Sequence, residues 1–301
     1  MTDTPLQKPG LANWLRVIAL SVIWGGSFMG VKLALAGFGP LSIAAIRIAL
    51  AAIALFLIAR SMGLALPRSR RVWAHAIGMG FFSNALPFAL LSWGQLHVAS
   101  GFAGITMAAV PLFTLLLAHR LIPGEQMTVW KLLGLGFGIA GVVVLIGPRA
   151  LASSGADVEN LARLACVAST LCYAIGAIIT RRCPPVPLVA FSTAALIAAS
   201  VMMLPLAWAI EGTPDLAAAT PSALLALLYL GLGPTALATL LLVKVITTAG
   251  PTFLTLSNYQ VPLWSVLFGT IFLHEKLPPS FFAALGLILA GLALSNIRRK
   301  A

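Results

Sequence analysis

Apolar residues run along this chain in continuous stretches of about twenty, broken by short polar segments. The stretches fall near 13–36, 40–59, 72–96, 101–121 and 128–147, then near 161–180, 186–210, 221–245, 251–273 and 279–296. Within them the side chains do not alternate apolar and polar at every second position, as the strands of a membrane barrel do. Continuous runs predict helices, each able to close its own backbone hydrogen bonds in lipid. The expected fold is an all-α integral membrane protein with ten transmembrane helices.

The pattern also repeats. Glu125, Gly136 and Gly141 recur 150 positions later as Glu275, Gly286 and Gly291. Pro111 recurs as Pro262, 151 positions later. Each copy has an apolar run with an early proline, a polar break carrying the glutamate, and a glycine-rich run. A period of this size predicts two homologous five-helix repeats, 13–147 and 161–297. A Ser/Gly-rich linker over 148–160 joins them, with short cytoplasmic tails at 1–12 and 298–301.

Composition agrees with the pattern. The chain is 60% hydrophobic and only 9% charged, whereas soluble domains are about a quarter charged. The net charge of +12 does not predict nucleic-acid binding, because the basic residues cluster between apolar runs. With the N-terminus inside, fourteen of the 19 Lys and Arg residues fall on the inner side and four on the outer; Arg47 lies within the second helix. That bias predicts two cytoplasmic termini. Five helices per half is an odd number, so the halves must be inverted relative to each other. Inverted repeats around a central cavity are a design of secondary transporters. The first ten residues are polar and the first apolar run is of full length, so no cleavable signal is expected. Cys166, Cys172 and Cys183 have no metal-ligand spacing and read as free thiols. Trp14, Trp73, Trp93, Trp130 and Trp208 fall at expected helix ends, as in an aromatic belt, whereas Trp24 and Trp264 lie well inside helices.

Helix 1 carries Trp24-Gly25-Gly26-Ser27-Phe28 with Lys32 beyond it. Helix 2 carries Arg47, and helix 4 carries Pro111-Leu112-Phe113, followed by Glu125 and a glycine-rich helix 5. In this order and spacing the chain resembles the EamA-type branch of the drug/metabolite transporter superfamily. The second half departs from the pattern, with Tyr173, Arg181 and Ala194 near the places of Trp24, Lys32 and Arg47. The resemblance implies ten helices, a cavity built by both halves, and alternating access. It also implies export or facilitated movement of small metabolites, with amino acids, aromatic ones included, a common substrate class, as in exporters of the YddG type.

Polar groups at membrane depth mark the candidate residues, since each needs a cavity or a partner. Asn258, Tyr259 and Gln260 precede the helix-breaking Pro262 at mid-depth of helix 9. Asn84, Phe88, Leu91 and Gln95 share one face of helix 3. Trp24 and Tyr173 are aromatic at matching depths in the two halves. All of these read either as cavity lining or as interhelical packing. Pro111 and Pro262 read as hinges. Arg47 and Lys32 are possible partners for a substrate carboxylate, the alternatives being a backbone anchor for Arg47 and snorkelling for Lys32. Glu125 and Glu275 stand at helix starts and read as caps of helices 5 and 10. Gly134, Gly136, Gly138 and Gly141 on helix 5, with Gly286 and Ala290 on helix 10, permit close contact, either between the halves or in a homodimer.

No Asp or Glu lies inside a predicted span, which disfavours a proton-driven pump. No cofactor or metal is expected. The expected partners are a small-molecule substrate and the bilayer, and the expected location is a bacterial inner membrane. An intramembrane enzyme lacks its convergent catalytic groups, and a channel lacks a filter loop. Within transport, multidrug, nucleoside and sugar substrates stay open.

Overall fold

A computed structural model describes residues 10–122, 127–146 and 158–295, the side chain of Thr252 excepted. Among these residues there are helices and turns and no strand. The helices are α1 (Leu11–Ala34), α2 (Pro40–Ser61), α3 (Arg70–His97), α4 (Ser100–Leu121) and α5 (Val129–Ile146), then α6 (Val158–Arg181), α7 (Leu188–Glu211) and α8 (Pro221–Ala249). Next come α9, in two pieces (Pro251–Leu254 and Ser257–Phe272), and α10 (Pro279–Ser295). The first eight are long and apolar enough to cross a membrane, and α10 is a shorter apolar helix of 17 residues. Helix α6 starts at Val158, inside the segment expected to be linker, and Glu159 in its first turn complements the helix dipole. Residues 148–157 of that linker lie outside the described part, as do residues 1–9 of the first tail, the whole of the last tail and Glu125.

The local chemistry explains where helices stop. Pro40, Pro221, Pro251 and Pro279 each open a helix, where a missing N–H costs nothing. Gly250 closes α8 with φ of 85°, a conformation that disfavours any side chain. Pro251 then begins the next piece, so α8 and α9 turn on two residues.

Two helices carry a wider turn that simple periodicity does not predict. In α3, residues Phe81–Ala85 form a π turn, and in α8 Leu232–Leu237 do the same. The two are related by the repeat: Gly80, Asn84, Ala85 and Leu86 match Gly231, Thr235, Ala236 and Leu237, each 151 positions on. Proline is the physical cause in α8. Pro234 has no N–H to give to the Leu230 carbonyl, which accepts the Thr235 hydroxyl at 2.8 Å instead. Pro87 stands just after the α3 turn. Helix α4 has a comparable break, a 3-10 turn at Met107–Ala109 before Pro111.

Packing follows the repeat. Helix α2 lies along α7, where Ala44, Ala45, Ile48 and Leu55 meet Leu196, Ala199 and Met203 in one core cluster. Helix α5 lies along α10 with backbones in contact. A Cβ on Gly291 would strike the Gly134 carbonyl, and one on Gly141 would lie 2.6 Å from Ile288. Gly134 and Gly141 therefore pack the two halves together, whereas Gly136 faces outward with nothing within 4 Å. Helix α1 packs on α8 and α9, and α6 packs on α3 and α4. Exchanging the first five helices for the last five maps these main pairings onto one another.

Two carboxylates pin helix starts, and both do so across the halves. Glu211, at the end of α7, accepts from the Leu41 N–H at 2.9 Å, the Ser42 N–H at 2.8 Å and the Ser42 hydroxyl at 2.7 Å. Glu275 accepts from the Ser100 N–H at 2.7 Å, the Gly101 N–H at 3.0 Å and the Ser100 hydroxyl at 3.0 Å. Glu275 thus caps α4, not α10. The chain folds its Glu275–Pro278 segment back towards α4, and α10 begins on Pro279, which needs no acceptor.

Candidate functional site

Arg47 stands at the centre of the candidate site. It lies on the α2 face turned to α3 and α8 and is only 5% exposed. Its guanidinium sits over the Phe88 ring, 3.7 Å from the centroid. One terminal nitrogen donates to the Thr235 hydroxyl at 3.2 Å, and its Nε has no hydrogen-bond partner. Tyr173 and Tyr229 lie within electrostatic reach of the charge. A buried guanidinium with a π face, one hydroxyl and a spare donor is incompletely satisfied, and its natural complement is an anion.

Both π turns build this group. The α8 turn supplies Thr235, and the neighbouring Pro234 carbonyl accepts Trp24 Nε1 at 3.2 Å. The Tyr229 hydroxyl donates to the Ile23 carbonyl at 3.0 Å, so α1 is tied to α8 within the turn and just before it. The α3 turn supplies Asn84, buried, whose amide nitrogen has no partner. Phe88 follows one turn later. Tyr173 of α6 packs against the core clusters on both sides. Trp24, Asn84, Phe88, Tyr173 and Arg47 are therefore gathered on α1, α3, α6 and α2 around the α8 turn.

The other sequence candidates sit elsewhere. Asn258, Tyr259 and Gln260 form the first turn of the longer piece of α9, half-buried, where α9 lies against α1 and α4. Pro262 lies inside that helix, and Pro111 is the second residue after the 3-10 turn of α4. Lys32 donates to the carbonyls of Gln95 at 2.7 Å and Val98 at 3.3 Å, so its charge sits on the C-terminal end of α3. Gln95 is fully buried, and neither side-chain amide atom has a partner; the same holds for the Ser92 hydroxyl.

Sequence reasoning missed Thr235 and Tyr229. Thr235 had a signal: it stands 151 positions after Asn84, the same offset that joins Pro111 to Pro262. Tyr229 had none, since an aromatic one turn before a glycine is ordinary in an apolar helix.

The sequence profile of the EamA-like transporter family matches this chain twice, over residues 14–147 and 160–297. The chain belongs to that family. Among its curated relatives is a protein of Streptantibioticus cattleyicolor described as a probable terminal-alkyne amino-acid exporter, 28% identical over 97% of this chain and 95% of its own length. The uncharacterized transporter YoaV of Bacillus subtilis is 24% identical over 95% of this chain and 98% of its own. The uncharacterized inner membrane transporter YedA of Escherichia coli is 27% identical over 93% and 89%. One solved crystal structure superposes with a TM-score of 0.68 at 21% identity, covering 95% of this chain and 96% of its own, which speaks to the fold alone. This EamA-like chain is thus a multi-pass membrane protein of a transporter family, and the Arg47 group lies among helices of both matched units.

Proposed function

We propose that this protein is a secondary transporter that moves small amphipathic amino acids, aromatic ones included, out of the cell across the inner membrane. The Arg47 group carries the reading: a buried cation with a spare donor over the Phe88 ring, Tyr173 within electrostatic reach, Trp24 tied to the same α8 turn, and an unpartnered Asn84 amide nitrogen one turn before Phe88. A carboxylate pairs with the guanidinium and an aromatic side chain stacks on the walls. The described similarity to an amino-acid exporter supports the same class. Uncharged sugars leave the guanidinium unpaired, and cationic drugs oppose it. The protein acts on its cargo by translocation and performs no covalent chemistry.

The exchange of main pairings between the two halves supports a ten-helix inverted repeat, with both termini cytoplasmic as the charge bias predicts. Alternating access follows if the two groups, α1–α8–α9 and α6–α3–α4, rock about the site while α5–α10 and α2–α7 stay paired. The exposed glycines Gly136 and Gly286 of α5 and α10 leave room for a homodimer contact there.

Counterflow tests the proposal. Vesicles loaded with unlabelled phenylalanine should accumulate labelled phenylalanine transiently, and Arg47→Gln should reduce the initial rate about tenfold, the loss of one charge-assisted contact. Saturable counterflow of a sugar or nucleoside but not of phenylalanine sinks the amino-acid reading. Counterflow of phenylalanine untouched by Arg47→Gln sinks the site.

A further inference from the structure

A second pocket lies far from the Arg47 group, at the end of the bundle opposite the basic loops that carry Arg68 and Arg182. Its volume is about 230 Å³, and it opens between the end of α3, the starts of α4 and α6, and the segment leading into α10. Phe102 and Phe281 form an aromatic floor, with ring centroids 5.3 Å apart. The Arg163 guanidinium sits beside them, 5.7 and 5.8 Å from the two centroids.

The side chains that line the pocket carry one net positive charge, Arg163 and Lys276 against Glu159. Arg163 is paired with Glu159 and also donates to the Ile146 carbonyl at 2.8 Å, so these two side chains offset each other. Glu275 is next to Lys276 in sequence and keeps its negative charge, but its carboxylate is turned to the Ser100 and Gly101 donors of α4 and makes no ion pair with Lys276. Lys276 and His97 remain, both exposed and both lining the pocket. Neither has a hydrogen-bond or ion-pair partner among the described residues; His97 only touches the Trp93 ring, 5.7 Å between centroids. An ammonium without an ion-pair partner and an imidazole therefore stand over an apolar floor. A cavity of about 150 Å³ accepts benzene, so this one has room for a single ring with a charged head.

We propose that this pocket binds a small organic carboxylate with an apolar substituent, and that the bound anion ties the start of α4 to the start of α10. The head pairs with Lys276 and His97 and the apolar part rests on Phe102 and Phe281. The walls are the two segments that Glu275 already joins, 97–102 and 276–281. An anion held between them acts as a second clasp beside the glutamate and slows opening of this end. The site is separate from the Arg47 group and does not depend on the substrate assigned there.

The test uses the full chain in phosphatidylcholine nanodiscs, with phenylacetate titrated by calorimetry. The expected result is saturable binding, about five- to tenfold weaker in Lys276→Gln or His97→Gln, unchanged in Arg47→Gln, and absent for uncharged phenylacetamide. Both substituted residues are exposed and unpartnered, so these variants fold. The proposal is overturned if phenylacetate does not bind, if both pocket variants bind it as the wild type does, or if Arg47→Gln alone removes binding. It is likewise overturned if the only Lys276-dependent ligand is phosphatidylglycerol supplied in the nanodisc, which makes the pocket a lipid-headgroup site.

Discussion

At the scale of single residues, the candidate site holds two buried groups whose bonding is incomplete, Arg47 at its Nε and Asn84 at its amide nitrogen. Removing a satisfied buried polar group costs stability, whereas removing one that has no partner costs little. Asn84→Ala should therefore slow phenylalanine counterflow severalfold while leaving the melting temperature in detergent unchanged. A matched fall in both measurements would return Asn84 to a packing role. Arg47→Lys should behave like Arg47→Gln, because an ammonium does not present a flat face to Phe88 or reach Thr235 with the same geometry. Arg47 and Asn84 stand out in the sequence for one reason: a polar side chain at membrane depth needs a cavity or a partner. What each polar group touches was not legible. Lys32 and Arg47 have similar sequence settings, yet one neutralises carbonyls at the end of α3 and the other faces an aromatic ring and a hydroxyl. The difference lies in neighbours brought from other helices.

At the scale of elements, lipid makes the chain easy to read and hides its irregularities. Spans close to the expected ones form because only an unbroken apolar helix satisfies its backbone there. The π turns of α3 and α8 carry Ser83 and Asn84, and Pro234 and Thr235, yet both helices stay apolar enough to cross a membrane, so mean hydropathy does not mark the turns. Their positions become visible only when the halves are aligned. Each turn is preceded by a glycine at a backbone contact. A Cβ on Gly80 would strike the Ala195 carbonyl of α7, and one on Gly231 would lie 2.6 Å from Leu50 of α2. Gly80→Val or Gly231→Val should each destabilise the fold by about 1–3 kcal/mol, read as a lower melting temperature. Gly136→Val and Gly286→Val should not, because nothing lies within 4 Å of either. The Glu275 cap shows the opposite failure of sequence reading. Proximity along the chain pointed to α10, but a carboxylate serves whichever free N–H groups reach it, and those belong to α4.

At the scale of the whole molecule, the two glutamate clasps are placed to do different work. Glu211 joins α7 to α2, a pair also held by a continuous apolar core. Glu275 joins α4 to the α9–α10 connection, where α9 also meets α1 and α4. Glu275→Gln keeps one acceptor oxygen and turns the other into a donor facing donors. Loss of about 1.5–3 kcal/mol at that contact should raise exposure of this end tenfold or more. In a background with the three native cysteines replaced by serine, Ser265→Cys reports it, since Ser265 is buried against Gly104 of α4. Labelling by an impermeant maleimide should accelerate with Glu275→Gln and stay unchanged with Glu211→Gln. Equal rates in both variants would remove Glu275 from any gate. The contact between α5 and α10 has a consequence of another kind, in the history of each new chain. The two helices that meet backbone to backbone are made 150 residues apart. At roughly 5–20 residues per second, the ribosome delivers α10 on the order of 10–30 s after α5. Through that interval the α5 backbone at Gly134 and Gly141 lacks the helix it packs on, so completion of the second half is also the step that finishes the first.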